Sequence, residues 1–198
     1  MLDAGMKVYL LLFLLLVVLR SADLVITYHI TPDLAYEWNP LVAGLNLSWG
    51  GFLVVQSLLC ILAAGVFYFY LNRQRCPVTQ PGLGIRRFVF YYFNGFDANW
   101  RQWFASQFKT PNQRYKDAHL AMLGFVIPFS FVLVSVFAIA HNLTILAGID
   151  AYHQFAIDQG YTYFGAVFIS LILVSANIFF TLEFTHYRRN VSSERIPK

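Results

Sequence analysis

Four stretches of the chain run for about twenty positions each with few polar residues: about Val8 to Ile30, Trp49 to Tyr70, Leu120 to Ala140 and Tyr163 to Phe184. A bilayer core about 30 Å thick needs roughly 20 apolar residues in a helix, because a backbone without water must bond to itself. The pattern therefore predicts an all-α, four-helix transmembrane bundle, a single integral membrane domain over residues 1–198. Between the second and third spans, Pro77 and the PGLG stretch at 81–84 interrupt regular structure, and an aromatic-rich run from Phe88 to Phe108 follows. Phe96, Trp100, Trp103, Phe104 and Phe108 recur at helical spacing, with Asp97, Asn99, Arg101 and Gln102 between them. That predicts an amphipathic helix over about 96–108, in the plane of the headgroup layer, where Trp sits well and Arg reaches phosphate. Two roles fit it: an interfacial aromatic belt, or a surface that docks another protein.

Composition sharpens the picture by exclusion. Of 198 residues, 58% are hydrophobic and only 12% charged, against about a quarter charged in a soluble domain. A soluble globule, a disordered chain and a cysteine-stapled miniprotein are all excluded. The net charge of +4 matters less than where the cations lie. Eight of the fourteen Lys and Arg fall between the second and third spans, and four in the last eleven residues. The connections His29–Ser48 and His141–Thr162 have no Lys or Arg, but carry Asp33 and Glu37, and Asp150 and Asp158. The positive-inside rule then predicts a cytoplasmic (inner) membrane protein with both termini cytoplasmic. Such basic flanks are usual at membranes, so no nucleic acid is expected as a partner. Cys60 and Cys76 form no CxxC, and no disulfide or zinc site is implied.

The opening residues imitate a signal peptide, with Lys7 ahead of Val8 to Leu19. Cleavage after Ala22 would place Arg20 where a small residue is required, so the first span is expected to be retained. Met6-Lys7 also has the form of a natural start, which sets residues 1–5 apart from the span. No lipidation motif is present.

The most informative residues are the polar ones that lipid penalises. Arg20 lies near the middle of the first span, with Asp23 and Thr27 three and seven positions on, all on one helical face. Each charge costs roughly 2.5–3.5 kcal/mol at the bilayer centre, while each Leu, Ile, Val or Phe returns about 0.3–0.6 kcal/mol. Fifteen such residues lie between Val8 and Ile30, so the totals nearly cancel. The helix is expected to insert with Arg20 and Asp23 neutralising each other and facing protein, with Gln56 of the second span in the same leaflet. Two readings of this polar seam stand side by side: an ion pair that orients the bundle, and an ion, proton or anionic-ligand site. Ser175 and Asn177 in the last span fit interhelical hydrogen bonding.

At the opposite end, Glu183 and His186 are spaced ExxH, and His119 opens the third span. A carboxylate and an imidazole at that spacing share a face, but di-iron bundles need two such pairs and two further carboxylates. Glu183, His186 and His119 are thus weak metal candidates; capping of the helix end and pairing of Glu183 with the basic loop fit better. His119 and His141 lie about 33 Å apart along one helix, too far for a buried bis-histidine haem. No cofactor is expected. Asn46 and Asn142 begin glycosylation sequons, too close to the bilayer for use. Nucleotide-binding, hydrolase, zinc-protease and membrane-protease motifs are absent, and PGLG has no Lys and Ser or Thr after it to hold phosphate.

The first connection holds Thr31-Pro32-Asp33 and the turn-forming Glu37, Asn39 and Pro40. With the first span these give Asp23-x3-Thr27, then Glu37-x-Asn39-Pro40-Leu41. Over residues 16–70 the chain resembles small prokaryotic multi-pass membrane-protein families of unknown function with an Asp-x3-Thr helix and a Glu-x-Asn-Pro turn. The resemblance implies a paired-helix module and nothing catalytic.

The expected role is non-enzymatic: a small accessory or assembly subunit in the lipid bilayer, whose Arg20, Asp23 and Gln56 seam and aromatic loop dock onto the helices of a membrane-protein partner or of a homo-oligomer. A small transporter or ion-coupling protein using the Arg20/Asp23 seam is the alternative. An intramembrane enzyme using Asp23 with Glu37 is the third reading.

Overall fold

A computed structural model describes residues 3–34, 44–73, 78–95, 101–102, 105 and 113–193. These are helical with no strand among the described residues. Five helices follow in order: α1 Ala4–Ile30, α2 Trp49–Asn72, α3 Ile85–Asn94, α4 Gln113–Leu146 and α5 Asp150–Ser193. Four carry stretches long and apolar enough to cross a membrane: Gly5–Ile30, Trp49–Asn72, Gln113–Leu146 and Thr162–Val191. The chain is an all-helical, multi-pass membrane protein by this measure. Arg73, Arg86, Arg87, Arg114, Arg188 and Arg189 lie towards the end of the bundle that holds the start of α1 and the end of α5, called the basic end below.

Local chemistry sets the boundaries. Asp3 caps α1 by accepting from the Met6 amide at 2.7 Å, and Ser48 caps α2 by accepting from the Gly51 amide at 3.4 Å. At the far end, the Trp49 indole donates to the Pro32 carbonyl at 2.6 Å and its ring meets Tyr28 edge-on, which ties α1 to α2. The third span, Gln113–Leu146, is longer than its apolar run at both ends, with Gln113 to His119 continuing the helix ahead of it. The last span is entered through a bend: Gly160 takes φ 49° and ψ −137°, a conformation that only glycine adopts readily. Residues 150–159 thereby form an arm at the far end.

The central helix is α4, which packs against each of the others. It approaches α2 closely at Gly124, where a Cβ would lie 2.8 Å from the Val66 carbonyl oxygen and 2.9 Å from Tyr70 Cβ. Small residues at such crossings let helices approach within van der Waals range of their backbones. Most of the core lies towards the basic end, where Phe67, Phe88, Tyr92, Phe93, Phe125, Phe179 and Tyr187 are all buried. In contrast, only 11% of the core stretch of the α5 span is buried, the lowest share among the four.

The helix expected over about 96–108 falls mostly outside the described residues. Phe96, Trp100, Trp103 and Phe104 lie outside the described residues; of the 96–108 stretch only Arg101, Gln102 and Ala105 are described, and they are helical. A short amphipathic helix, α3, starts directly after PGLG, with Phe88, Tyr92 and Phe93 buried and Arg86 and Arg87 exposed. Gly95 ends it at φ 77°, its amide donating to the Tyr91 carbonyl. Arg114 adds to that cap, with Nε donating to the Tyr92 carbonyl at 3.3 Å and Nη2 to the Tyr91 carbonyl at 3.4 Å. The other end is held by Tyr187, whose hydroxyl accepts from the Leu83 amide at 3.0 Å and donates to the Gln80 carbonyl at 2.8 Å.

Candidate functional site: an intramembrane polar seam

Spacing within α1 brings Arg20 and Asp23 together. Arg20 Nη1 donates to Asp23 Oδ2 at 2.9 Å, and both side chains are close to nine-tenths buried. The guanidinium also lies over the Phe131 ring of α4, 5.3 Å from its centroid. Thr27 follows on the same face and is buried. The structure adds a residue to the seam that spacing did not reveal. Asn142 of α4 donates through Nδ2 to Asp23 Oδ1 at 3.3 Å and to Thr27 Oγ1 at 3.2 Å. Asn142 stands 119 and 115 residues from these partners, so no local spacing links it to them.

Gln56 is buried in α2, and its Oε1 has no hydrogen-bond partner among the described residues; the same holds for Arg20 Nε and for Ser130 Oγ of α4. With Arg73 Nε at the basic end, four buried polar atoms are thus left without a partner among the described residues, whereas some buried hydroxyls are satisfied within their own helix. Ser135 and Ser175, for instance, donate to the carbonyls four residues earlier, Phe131 and Leu171. Glu37, Asn39 and Pro40 lie outside the described residues.

A second polar centre closes the basic end. Arg73 Nη2 donates to Glu183 Oε1 at 2.9 Å and to the Tyr92 hydroxyl at 3.3 Å, and its guanidinium stacks 4.2 Å over the Tyr70 ring. Burial works against the charged guanidinium, but the Tyr92 hydrogen bond and the Glu183 charge outweigh it and hold its pKa above the usual value. Glu183 is therefore engaged by Arg73 at the end of α2 and by the Tyr70 hydroxyl within it. His186 pairs with Asn190 at 3.0 Å and His119 Nδ1 with the Tyr115 carbonyl at 2.8 Å. Among the described residues no three His, Cys, Asp or Glu gather as metal ligands.

At the far end, His141 Nδ1 meets the Tyr152 hydroxyl at 2.8 Å, and that hydroxyl lies 3.4 Å from the Tyr163 hydroxyl. These contacts pin the arm to α4 and to the start of the α5 span. Burial, then the bond to Tyr163, push the Tyr152 phenol upwards, so it stays protonated.

No protein-family model matches the chain, and no curated protein or solved structure is significantly similar to it. The resemblance over residues 16–70 stands on its motif residues alone.

Proposed function

We propose that the protein is a non-enzymatic assembly subunit of a cytoplasmic membrane, oriented with its basic end and both termini in the cytoplasm, that docks on other membrane helices through α5. The observation that carries this reading is the poor coverage of the last span. Its exposed face presents Ile169, Ser170, Leu173 and Val174 together, while α4 covers the opposite side with Ser175 and Phe179. Packing of helices in lipid depends on close van der Waals fit, and a span held on one side has a second side to offer. The seam supports the same reading differently from the sequence expectation. Arg20, Asp23, Thr27 and Asn142 bond to one another within the chain, which suits an orienting device better than a docking surface.

Cysteine placed at Leu173 tests it in native membranes. A specific crosslink to one partner, or to a second copy, is expected, and cysteine at Leu11 on the exposed face of α1 serves as the control. Equal crosslinking at both positions, or none at Leu173, rejects the docking face.

The unanswered Gln56 Oε1 and Arg20 Nε favour one second reading, in which the seam holds water or an ion during transport. Flux that vanishes in Asp23→Asn while the protein stays folded would select it.

A further inference from the structure

We propose that the groove between α3 and the α5 span binds one anionic phospholipid, with Arg86 taking its phosphate and Asn177 its glycerol-ester region. The groove has a volume of about 230 Å³ and is lined by Ile85, Arg86, Val89, Asn177 and Phe180. Two of these are polar and three apolar, the division a lipid carries between its headgroup and its chain. Asn177 lies six residues, about 9 Å, membrane-ward of Glu183 and is exposed there. Its Oδ1 accepts from Thr181 at 3.4 Å, and no described group takes its two N–H donors. An exposed amide at that depth needs an acceptor, because hydrocarbon supplies none.

Arg86 makes no ion pair among the described residues and is exposed on the amphipathic α3. A guanidinium matches phosphate with two parallel N–H donors. The occupant is therefore an acceptor-rich anion with an apolar tail. An apolar partner helix brings no anion for Arg86. The location agrees: on the orientation proposed above, α3 faces the leaflet in which anionic lipids attract basic segments. The binding itself is independent of that orientation and of the docking role of α5.

The test uses the full-length protein in nanodiscs of phosphatidylcholine doped with phosphatidylglycerol. Retained phosphatidylglycerol is counted by native mass spectrometry, and a photoactivatable phosphatidylglycerol marks the contact peptides. Arg86→Gln is expected to lower retention about fivefold, the effect of one basic residue near an anionic surface. Asn177→Ala should lower it less, Arg86→Lys should keep most of it, and Arg189→Gln at the same end should leave it unchanged. Labelling should fall on the peptides that carry Val89 and Phe180. Equal retention in Arg86→Gln and the parent overturns the proposal, as does an equal loss in Arg189→Gln, which would mean diffuse charge attraction. Displacement by soluble glycerol phosphate would make the ligand a free phosphate, and protection of the groove by a co-purified protein would make it a docking site; either result also rejects the lipid. Arg86 is exposed and bonds to no described residue, so its variants should fold; an unchanged elution profile checks this.

Discussion

Asn142 Nδ2 lies 3.3 Å from Asp23 Oδ1, a bond that spans 119 residues of chain and joins the first membrane span to the third. Replacement of Asn142 by Ala removes this bond and the one to Thr27, and interhelical bonds in lipid average about 0.6 kcal/mol each. A loss of about 1 kcal/mol is expected in denaturant titrations in mild detergent. Asp23→Asn should cost more, about 3 kcal/mol, because it strips the buried Arg20 of its counter-charge. The double change Arg20→Leu with Asp23→Leu should recover most of that loss. A double variant as unstable as Asp23→Asn would show that the pair does more than neutralise itself.

Gly124 gives a steric prediction. A methyl group there would meet the Val66 carbonyl oxygen at 2.8 Å, and backbone cannot move aside as a side chain can. Gly124→Ala should destabilise the protein by about 1–3 kcal/mol through separation of α2 and α4. Gly65→Ala, with nothing within 4 Å of the new atom, should be neutral or slightly stabilising. Thermal melting of the two variants side by side decides it.

The cluster at the basic end separates a structural from a metal-binding role for Glu183. Glu183→Ala leaves Arg73 buried without its carboxylate and should cost about 3 kcal/mol, whereas His186→Ala should change little, since among the described residues the His186 side chain bonds only to its helical neighbour Asn190. Added zinc should not shift the melting temperature of the parent protein. A zinc-dependent rise that disappears in His186→Ala would overturn this assignment.

Tyr187 fixes the approach to α3 with two hydrogen bonds from one hydroxyl. Tyr187→Phe should cost about 1–2 kcal/mol and leave the Leu83 amide, otherwise buried, without its acceptor. Faster amide exchange over residues 80–88, with α1 unchanged, is the expected signature.

Much of the fold could be read in advance because lipid imposes a simple length rule, and the four apolar stretches obey it. The termini of α4 could not, since hydropathy does not report where a helix stops once its apolar run has ended. The helix expected at 96–108 rests on aromatics that lie outside the described residues, while Gly84 and the Phe88, Tyr92 and Phe93 face define a further helix, α3, earlier in the same run. Arg20 and Asp23 were legible because their three-residue spacing is local. Asn142 and the Arg73–Glu183 contact were not: each depends on how distant helices are set against one another, which periodicity does not encode.

The three-residue separation of the α1 charges also bears on biogenesis. Because the guanidinium finds its counter-ion one turn away on the same helix, the first span can leave the insertion machinery electrically balanced long before Asn142 has been synthesised. A nascent chain halted ahead of α4 should already hold α1 across the bilayer, as protease protection of its flanks would report, while Asp23→Asn at the same length should slip back out.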